Sequence, residues 1–514
     1  MIDTAALREK VLDLAIRGKL VPQDPTDEPA SVLLERIHEQ KLQMVREGKL
    51  KAKDVKDDTI IFKGDDNCYY EKFSDGTIKN IQDEIPFDLP YGWSWSRISS
   101  IGTTNIGLTY KPTDIADEGT IVLRSSNIKN GKIDLTDLVR VKTIIRENQF
   151  VEQNDIVICA RNGSKALVGK CAIFNLAMSE SVSFGAFMAI LRTAFYDYVY
   201  YFLNTQLFRN ILNSDDSKQI NQLTQDMLKN TLIPFPPQNE QRKIVTALNE
   251  IMHQISSIDN NANAVEHTKE VLKSRILELA IQGKLVPQDE NDEPANVLLE
   301  RIRTERKAKL GKKYVESYIF KGDDNCYYEK VGNTSKKISE EMPFDLPFGW
   351  CWITLKEIAT ITSGKTPKNE QITDLGNIPY FKVGDMNLSG NEIFMEVVQY
   401  YVNDCYTGIT FPKNSFIFPK NGGALLTNKK RILKQESLVD LNTGVLIPSS
   451  AVNNEFMFYL FSTVDFTKNY KGSTIPTIDN EMIGNIVFAL PPIEEQSRIV
   501  QKIKAIMSIL KGGD

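Results

Sequence analysis

The chain of 514 residues has only three histidines and six cysteines, and no two cysteines form a CxxC pair. That argues against the usual zinc ligand sets and a secreted disulfide framework, and makes the cytoplasm the expected compartment. No run of eighteen or more apolar residues occurs, so no helix of membrane-spanning hydropathy is expected. The opening stretch, MIDTAALREKVLDLAIRGKL, lacks a basic leader followed by an apolar segment and reads as an amphipathic helix, not a signal peptide. Nucleotide loops are missing as well. CARNGSKALVGKC comes nearest, but five residues rather than four separate Gly163 from Gly169, and Cys171 stands where a phosphate loop needs Ser or Thr. FPPQ and LPPI lack the Asn of an Asn-Pro-Pro-aromatic methyltransferase motif. A stand-alone nuclease or methyltransferase is therefore not expected, and neither a catalytic residue nor a metal site is assigned.

What the chain does have is repetition. FKGDDNCYYEK occurs at 62–72 and again, unchanged, at 320–330. VLDLAIRGKLVPQD (11–24) matches ILELAIQGKLVPQD (276–289), and EPASVLLERI (28–37) matches EPANVLLERI (293–302). IPFDLPYGWSW (85–95) matches MPFDLPFGWCW (342–352), and PPQNEQRKIV (236–245) matches PPIEEQSRIV (491–500). Between these motifs, Trp95 to Pro236 spans 141 positions and Trp352 to Pro491 spans 139, with little identity between the two stretches. Nearly equal length with divergent sequence suggests one fold used twice with different surfaces.

The matched parts read as frame. From Ile244 the apolar positions run Leu248, Ile251, Ile255, Ile258, Ala262, Val265, Leu272, Ile276 and Leu279, at alternating spacings of four and three that only Lys269 breaks. This predicts a coiled-coil seam about 53 Å long, the alternative being one amphipathic helix on a globular core. The second copy of the seam is cut: it ends as Ile499, Ile503, Ile506 and Leu510, and its missing half stands at the start as Leu7, Val11 and Leu14. A circularly permuted, pseudo-twofold repeat follows, with two long antiparallel helices holding two variable domains apart. Residues 31–50 read as a charged helix, and 51–61 and 303–319 as Lys-rich surface loop. GDDN reads as a turn of solvated aspartates and CYYEK as a short strand. Asn239 is a candidate helix cap, and Trp93, Trp95, Trp350 and Trp352 read as packing anchors.

Together, LAI-x-GKLVPQD, EPA-x-VLLERI, FKGDDN-x-YYEK, PFDLP-x-GW-x-W and PP-x-x-EQ-x-x-IV resemble the specificity subunit of type I DNA restriction-modification enzymes over the whole chain. The resemblance implies an α+β protein with two α/β target-recognition domains, each reading one half of a split sequence in double-stranded DNA. It implies a non-catalytic subunit that joins two methyltransferase and two motor-nuclease subunits. S-adenosylmethionine, ATP and Mg2+ would belong to those partners, with no cofactor held by this chain. The corresponding segments are 1–24 and 491–514 (two halves of a split conserved helix), 25–96 and 290–352 (connectors), 236–289 (central helix), and 97–235 and 353–490 (recognition domains). The competing reading is a protein scaffold with two adaptor domains and no affinity for DNA.

The net charge of −5 would not by itself suggest a nucleic-acid partner. Its distribution does permit one. Residues 97–232 hold 15 basic and 13 acidic side chains and residues 353–490 hold 12 and 13, which leaves the acidic excess in the frame. Candidate contacts lie in loops beside Gly and Asn, where Arg and Lys suit guanine or phosphate and Asn suits adenine. In the first domain these are Thr109, Lys111, Arg124, Ser126, Asn127, Arg161, Asn162, Ser164, Lys165 and Lys170. In the second they are Lys365, Thr366, Lys368, Lys382, Asp385, Lys420, Asn421, Lys429, Lys430 and Arg431. Arg161-Asn162-Gly163 and Lys420-Asn421-Gly422 are expected at comparable places. The plain alternative for each is a solvated turn.

Overall fold

The duplicated motifs are legible as one mechanical part. In the computed structural model, Gly18 takes a left-handed backbone (φ +64°), and a Cβ there would lie 2.4 Å from the Pro90 ring. Only glycine fits both conditions. Gln23, from the same motif, donates to the Gly18 carbonyl (2.5 Å) and to the Glu240 carboxylate (3.1 Å). Trp93 Nε1 donates to the other Glu240 oxygen at 2.9 Å. Gln241 donates to the Pro236 carbonyl at 2.8 Å. The second copy repeats this with Gly283 against Pro347, and with Gln288 and Trp350 donating to Glu495 at 3.2 and 2.8 Å. Burial raises both glutamates above their ordinary range, and the Gln and Trp donors act against it. Trp93→Phe should therefore destabilise unit 1 by about 1–3 kcal/mol, since it deprives a buried carboxylate of a donor; chemical denaturation of variant and wild type would measure this.

The structure describes residues 2–213, 222–338, 342–403, 405–468, 470–472 and 475–512. It divides into unit 1 (1–263) and unit 2 (264–514). One helix, Gln238–Ile281, gives its first part to unit 1 and its last part to unit 2. In unit 1 the N-terminal helix Thr4–Ile16 places Val11, Leu12, Ala15 and Ile16 in a core with Ile244 and Leu248, and Ile251 packs on its edge. In unit 2 the helix Ile493–Lys511 places Ile499 and Ile503 in a core with Ile276 and Ala280, with Ile506 packed against it. Ile255 is buried too. The middle of the predicted seam is a correction: Ile258, Val265, Leu272 and Leu7 are exposed. Within unit 1 the first turn of the N-terminal helix ends its reach at Asp259, which takes hydrogen bonds from Thr4 and Arg8 at 2.5 and 2.7 Å.

Two further expectations change. Residues 303–310 are helix, not loop, because the helix Ala295–Leu310 runs on through the basic stretch. Arg303 there pairs with Glu357 and lies 4.8 Å over the Tyr318 ring, and Arg306 donates to the Lys356 and Glu357 carbonyls. Asn239 does not cap the long helix but stands inside its first turn, where it donates to Asp27 at 2.9 Å. The expected helix at 31–50 is Ala30–Arg46. GDDN is a turn between Ile60–Lys63 and Tyr69–Lys72: Asn67 is left-handed, and Asp66 accepts from Cys68 N and the Tyr70 hydroxyl. Asp324 does the same in the second copy with Cys326 and Tyr328. All four tryptophans are buried. Among the described residues, no helix is long and apolar enough to cross a membrane, and no His, Cys, Asp and Glu gather as a metal site.

Each variable domain is entered and left through one two-stranded antiparallel ribbon. Ser94–Arg97 pairs with Leu232–Phe235, and Cys351–Thr354 pairs with Val487–Leu490. Inside the first domain an antiparallel sheet runs in the order Cys171–Ile173, Ile156–Cys159, Met188–Arg192, Thr103–Ile106. A second sheet runs Val182–Phe184, Ile115–Leu123, Val139–Val141, its first pair parallel. Residues in a strand alternate faces, and Ile156–Cys159 uses both. Val157 and Cys159 join Ile121, Leu123 and Phe184 in one core, while Ile156 and Ile158 join Tyr198 and Phe202 of the helix Tyr196–Leu203 in another. The second domain repeats this order with Arg431–Leu433, Phe416–Pro419, Thr443–Pro448 and Ala359–Ser363, and repeats the parallel pair with Leu438–Val439 beside Ile378–Phe381.

Candidate nucleic-acid interface

The loops singled out in the sequence leave the ends of these strands and meet at one short turn in each domain. In the first domain the turn is 185–188, closed by Met188 N donating to the Gly185 carbonyl at 2.8 Å. Leu108 N donates to the Phe184 carbonyl and Gly107 N to the Met188 carbonyl, which seats loop 107–111 on one side. Gly185 N donates to the Leu123 carbonyl, which holds loop 124–127 beside it. Ala160 N and Arg161 N both donate to the Phe187 carbonyl, which brings in loop 160–164. Asn162 then reaches the Ser125 hydroxyl at 3.3 Å and joins two loops directly.

The second domain uses the same five bonds around turn 440–443. Thr443 N donates to Asp440 O, Lys365 N to Val439 O, Gly364 N to Thr443 O, Asp440 N to Phe381 O, and Lys420 N to Asn442 O. The close approach of the first loop is shared too. A Cβ on Gly107 would lie 2.1 Å from the Gly185 carbonyl oxygen, and one on Gly364 would lie 2.1 Å from that of Asp440. Only glycine lets these backbones touch. The correspondence fixes the register of the two basic triplets. Ala160 matches Lys420, so Asn421 answers to Arg161 rather than Asn162, and each of the two forms an isolated bridge, with Thr477 and Gln222 respectively.

Many of the candidate side chains stand around the turns. Thr109, Lys111, Ser126, Arg161, Ser164 and Lys165 are exposed, as are Lys365, Thr366 and Lys368. Arg161 lies 5.5 Å over the Phe187 ring. Arg124 pairs with Asp137 at 2.8 Å, and Lys170 is half-buried at the edge of strand Cys171–Ile173. Lys382 sits 3.9 Å over the Tyr400 ring. Lys420 is half-buried and donates to the Ser363 hydroxyl at 2.6 Å; burial lowers its pKa. Lys429 donates to Asn387, and Arg431 to the Met386 carbonyl, on the flank of the second loop.

Three candidates are corrected. Asn127 is 1% exposed; it accepts from Arg124 N and donates to the Asp134 and Asp137 carbonyls, so its amide is used within its own loop. Asp385 occupies the matching position, buried, and accepts from Lys382 N at 2.8 Å. Its pKa is raised by burial. Lys430 is 6% exposed and donates to the Asn428 side chain and the Val464 carbonyl, with the Phe466 ring 4.4 Å away. Burial lowers its pKa to about 8. The sequence reading also missed the hub. VSFGAFM and LVDLNTG carry no basic residue at the turn, so a search for basic loops passes over them.

Lys430→Met should leave DNA affinity within about twofold, whereas Lys111→Ala or Lys368→Ala should each reduce the slope of log affinity against log salt by about one. Fluorescence anisotropy at several salt concentrations separates the two behaviours.

One mixed α+β domain used twice, each copy presenting unlike loops around the same turn, defines a protein with two recognition surfaces on a repeated scaffold. The model of the type I restriction modification DNA specificity domain matches residues 90–267 and 347–512, and the chain belongs to that family. It is a DNA specificity subunit, the non-catalytic member of a type I restriction-modification system. Its relatives include the EcoAI specificity subunit of Escherichia coli, 27% identical across 98% of this chain and 88% of that protein. The EcoEI specificity subunit of Escherichia coli is 26% identical across 98% and 89%. A chain from a structure titled for complex assembly and conformational transition of the type I R-M system superposes with TM-score 0.56 at 16% identity, over 83% of this chain and 93% of that one.

Proposed function

We propose that residues 97–235 read one half of a split, asymmetric DNA target and residues 353–490 read the other. The observation that carries this reading is the set of five equivalent backbone hydrogen bonds holding two loop sets of different composition. A common mount with unlike side chains suits two different half-sites. The frame, in contrast, shows the same face twice. In both copies of FKGDDNCYYEK a partly exposed phenylalanine stacks on a tyrosine, Phe62 on Tyr70 at 5.9 Å and Phe320 on Tyr328 at 5.7 Å. We assign these faces to a partner met twice, the methyltransferase subunit. Two such subunits and two motor-nuclease subunits would complete the cytoplasmic assembly, and S-adenosylmethionine, ATP and Mg2+ would be bound by them.

The test is single-molecule methylation mapping of host DNA, with this gene present and deleted and its methyltransferase partner retained. A split motif with methylated adenines should vanish on deletion. Unchanged methylation would sink the proposal, and affinity capture would then look for partners of a scaffold.

A further inference from the structure

The hub turns present one backbone slot with two chemistries. Phe187 and Asn442 are equivalent: the carbonyl of each accepts the N–H of the matching residues Ala160 and Lys420, at 2.9 Å in both domains. The residue after each donates back to close the turn. The slot is held through the backbone, so its side chain can change without loosening the mount. Yet the two occupants are not interchangeable solvated residues. Phe187 is 60% exposed, in the middle of the loops carrying Thr109, Arg124 and Arg161, and the Arg161 guanidinium lies over its ring. Its exposed phenyl ring is apolar surface at the hub of the loops, available to a ligand seated there. Asn442 is exposed as well, and Asn421 donates to its Oδ1 at 3.3 Å, which orients the amide.

We propose that this slot is a specificity-determining position in both domains. Phe187 makes an apolar contact with the 5-methyl group of a thymine, and Asn442 hydrogen-bonds a base edge, adenine being the base whose donor and acceptor match an amide. The inference rests on the half-site reading above and deepens it. It also explains why the two half-sites would differ although the loops hang on the same bonds.

The experiment uses the complex of this chain with its methyltransferase partner and the target found by methylation mapping. Each thymine of the first half-site is replaced in turn by uracil, which lacks only the methyl group, and affinity is measured by competition. At one position the wild type should lose about fourfold, the worth of one buried methyl group, while Phe187→Ala should not respond to that replacement. Asn442→Ala should relax one position of the second half-site and leave the first intact in methylation maps. The inference is overturned if no thymine replacement matters, if the same replacement weakens wild type and Phe187→Ala alike, or if Asn442→Ala alters neither half or both. Uracil replacement needs no variant, so misfolding cannot hide the answer. If the wild-type complex binds its mapped target no better than unrelated DNA, the half-site reading itself fails.

Discussion

Replacing residues 97–235 with the corresponding segment of another specificity subunit is expected to exchange one half of the methylated motif completely and leave the other half unchanged. The ribbon at the base of the domain makes this feasible. Arg97 pairs with Leu232 and Ser94 with Phe235, so the chain enters and leaves on adjacent strands. A grafted domain therefore joins the frame at two neighbouring strands, where it must suit Ser94–Ser96, Glu71 and Glu84 of the host. The five hub bonds all lie inside the graft, so the loops travel with their own mount. Methylation mapping reads the outcome. Loss of both half-specificities in a complex that still assembles would show that the domains do not read independently.

The second large effect is expected at Arg97. Its guanidinium is buried and bidentate to Glu71, at 3.0 and 2.7 Å, and it also donates to Glu84 at 2.7 Å and to the Asn230 carbonyl at 2.6 Å. It thereby ties the meander of FKGDDNCYYEK to the ribbon. Arg97→Ala would leave Glu71 buried without its counter-charge, at a cost of about 3–5 kcal/mol. The matching position in unit 2 is Thr354, and Glu329, the counterpart of Glu71, pairs instead with the half-exposed Lys356 at 3.2 Å. Lys356→Ala should cost no more than about 1 kcal/mol. Urea denaturation of the two variants measures the contrast.

The Arg97 cluster also predicts a response to pH. Burial works to raise the Glu71 and Glu84 carboxyls, but hydrogen bonds from Arg97, with Thr59 or Lys79, outweigh it and hold both below their ordinary value. A carboxylate with a depressed folded pKa contributes stability above its unfolded value, about 4.3 for Glu, and loses it as pH falls through the folded value. The fluorescence of Trp95, packed in the same small core as Tyr69 and Ile81, should change on acidification below that point. In Arg97→Ala the same acidification should relieve rather than add to the strain.

The frame was legible in the sequence because it is written twice. Gly18, Gln23, Trp93 and Glu240 could be picked out by their repetition, though not their meeting in one cradle, since they lie up to 222 positions apart. The two-domain layout followed from equal spacing between matched motifs. The loops were found by residue type, which does not separate the exposed Lys111 and Arg161 from the buried Asn127 and Lys430, because composition does not report burial. Nor could the one-residue offset between Arg161 and Lys420 be read, as it is set by backbone pairing between segments of unrelated sequence. Residues 303–310 misled for a related reason. Their Lys and Arg side chains are good helix formers, and Arg303 and Arg306 find partners that only the fold brings near.

The helix Thr4–Ile16 has a consequence for the order in which the protein is built. Val11 and Ile16 share a core with Ile244 and Leu248, so an apolar stripe made early lacks that part of its cover until some 230 further residues have been added. At about 5–20 residues per second that wait is roughly 10–50 s. Ile276 and Ala280 wait similarly for Ile499 and Ile503. Each variable domain is continuous in the chain and can condense during the interval. The reading heads are thus ready before the frame that carries them, and the early stripe is the segment a nascent-chain chaperone would have to shield.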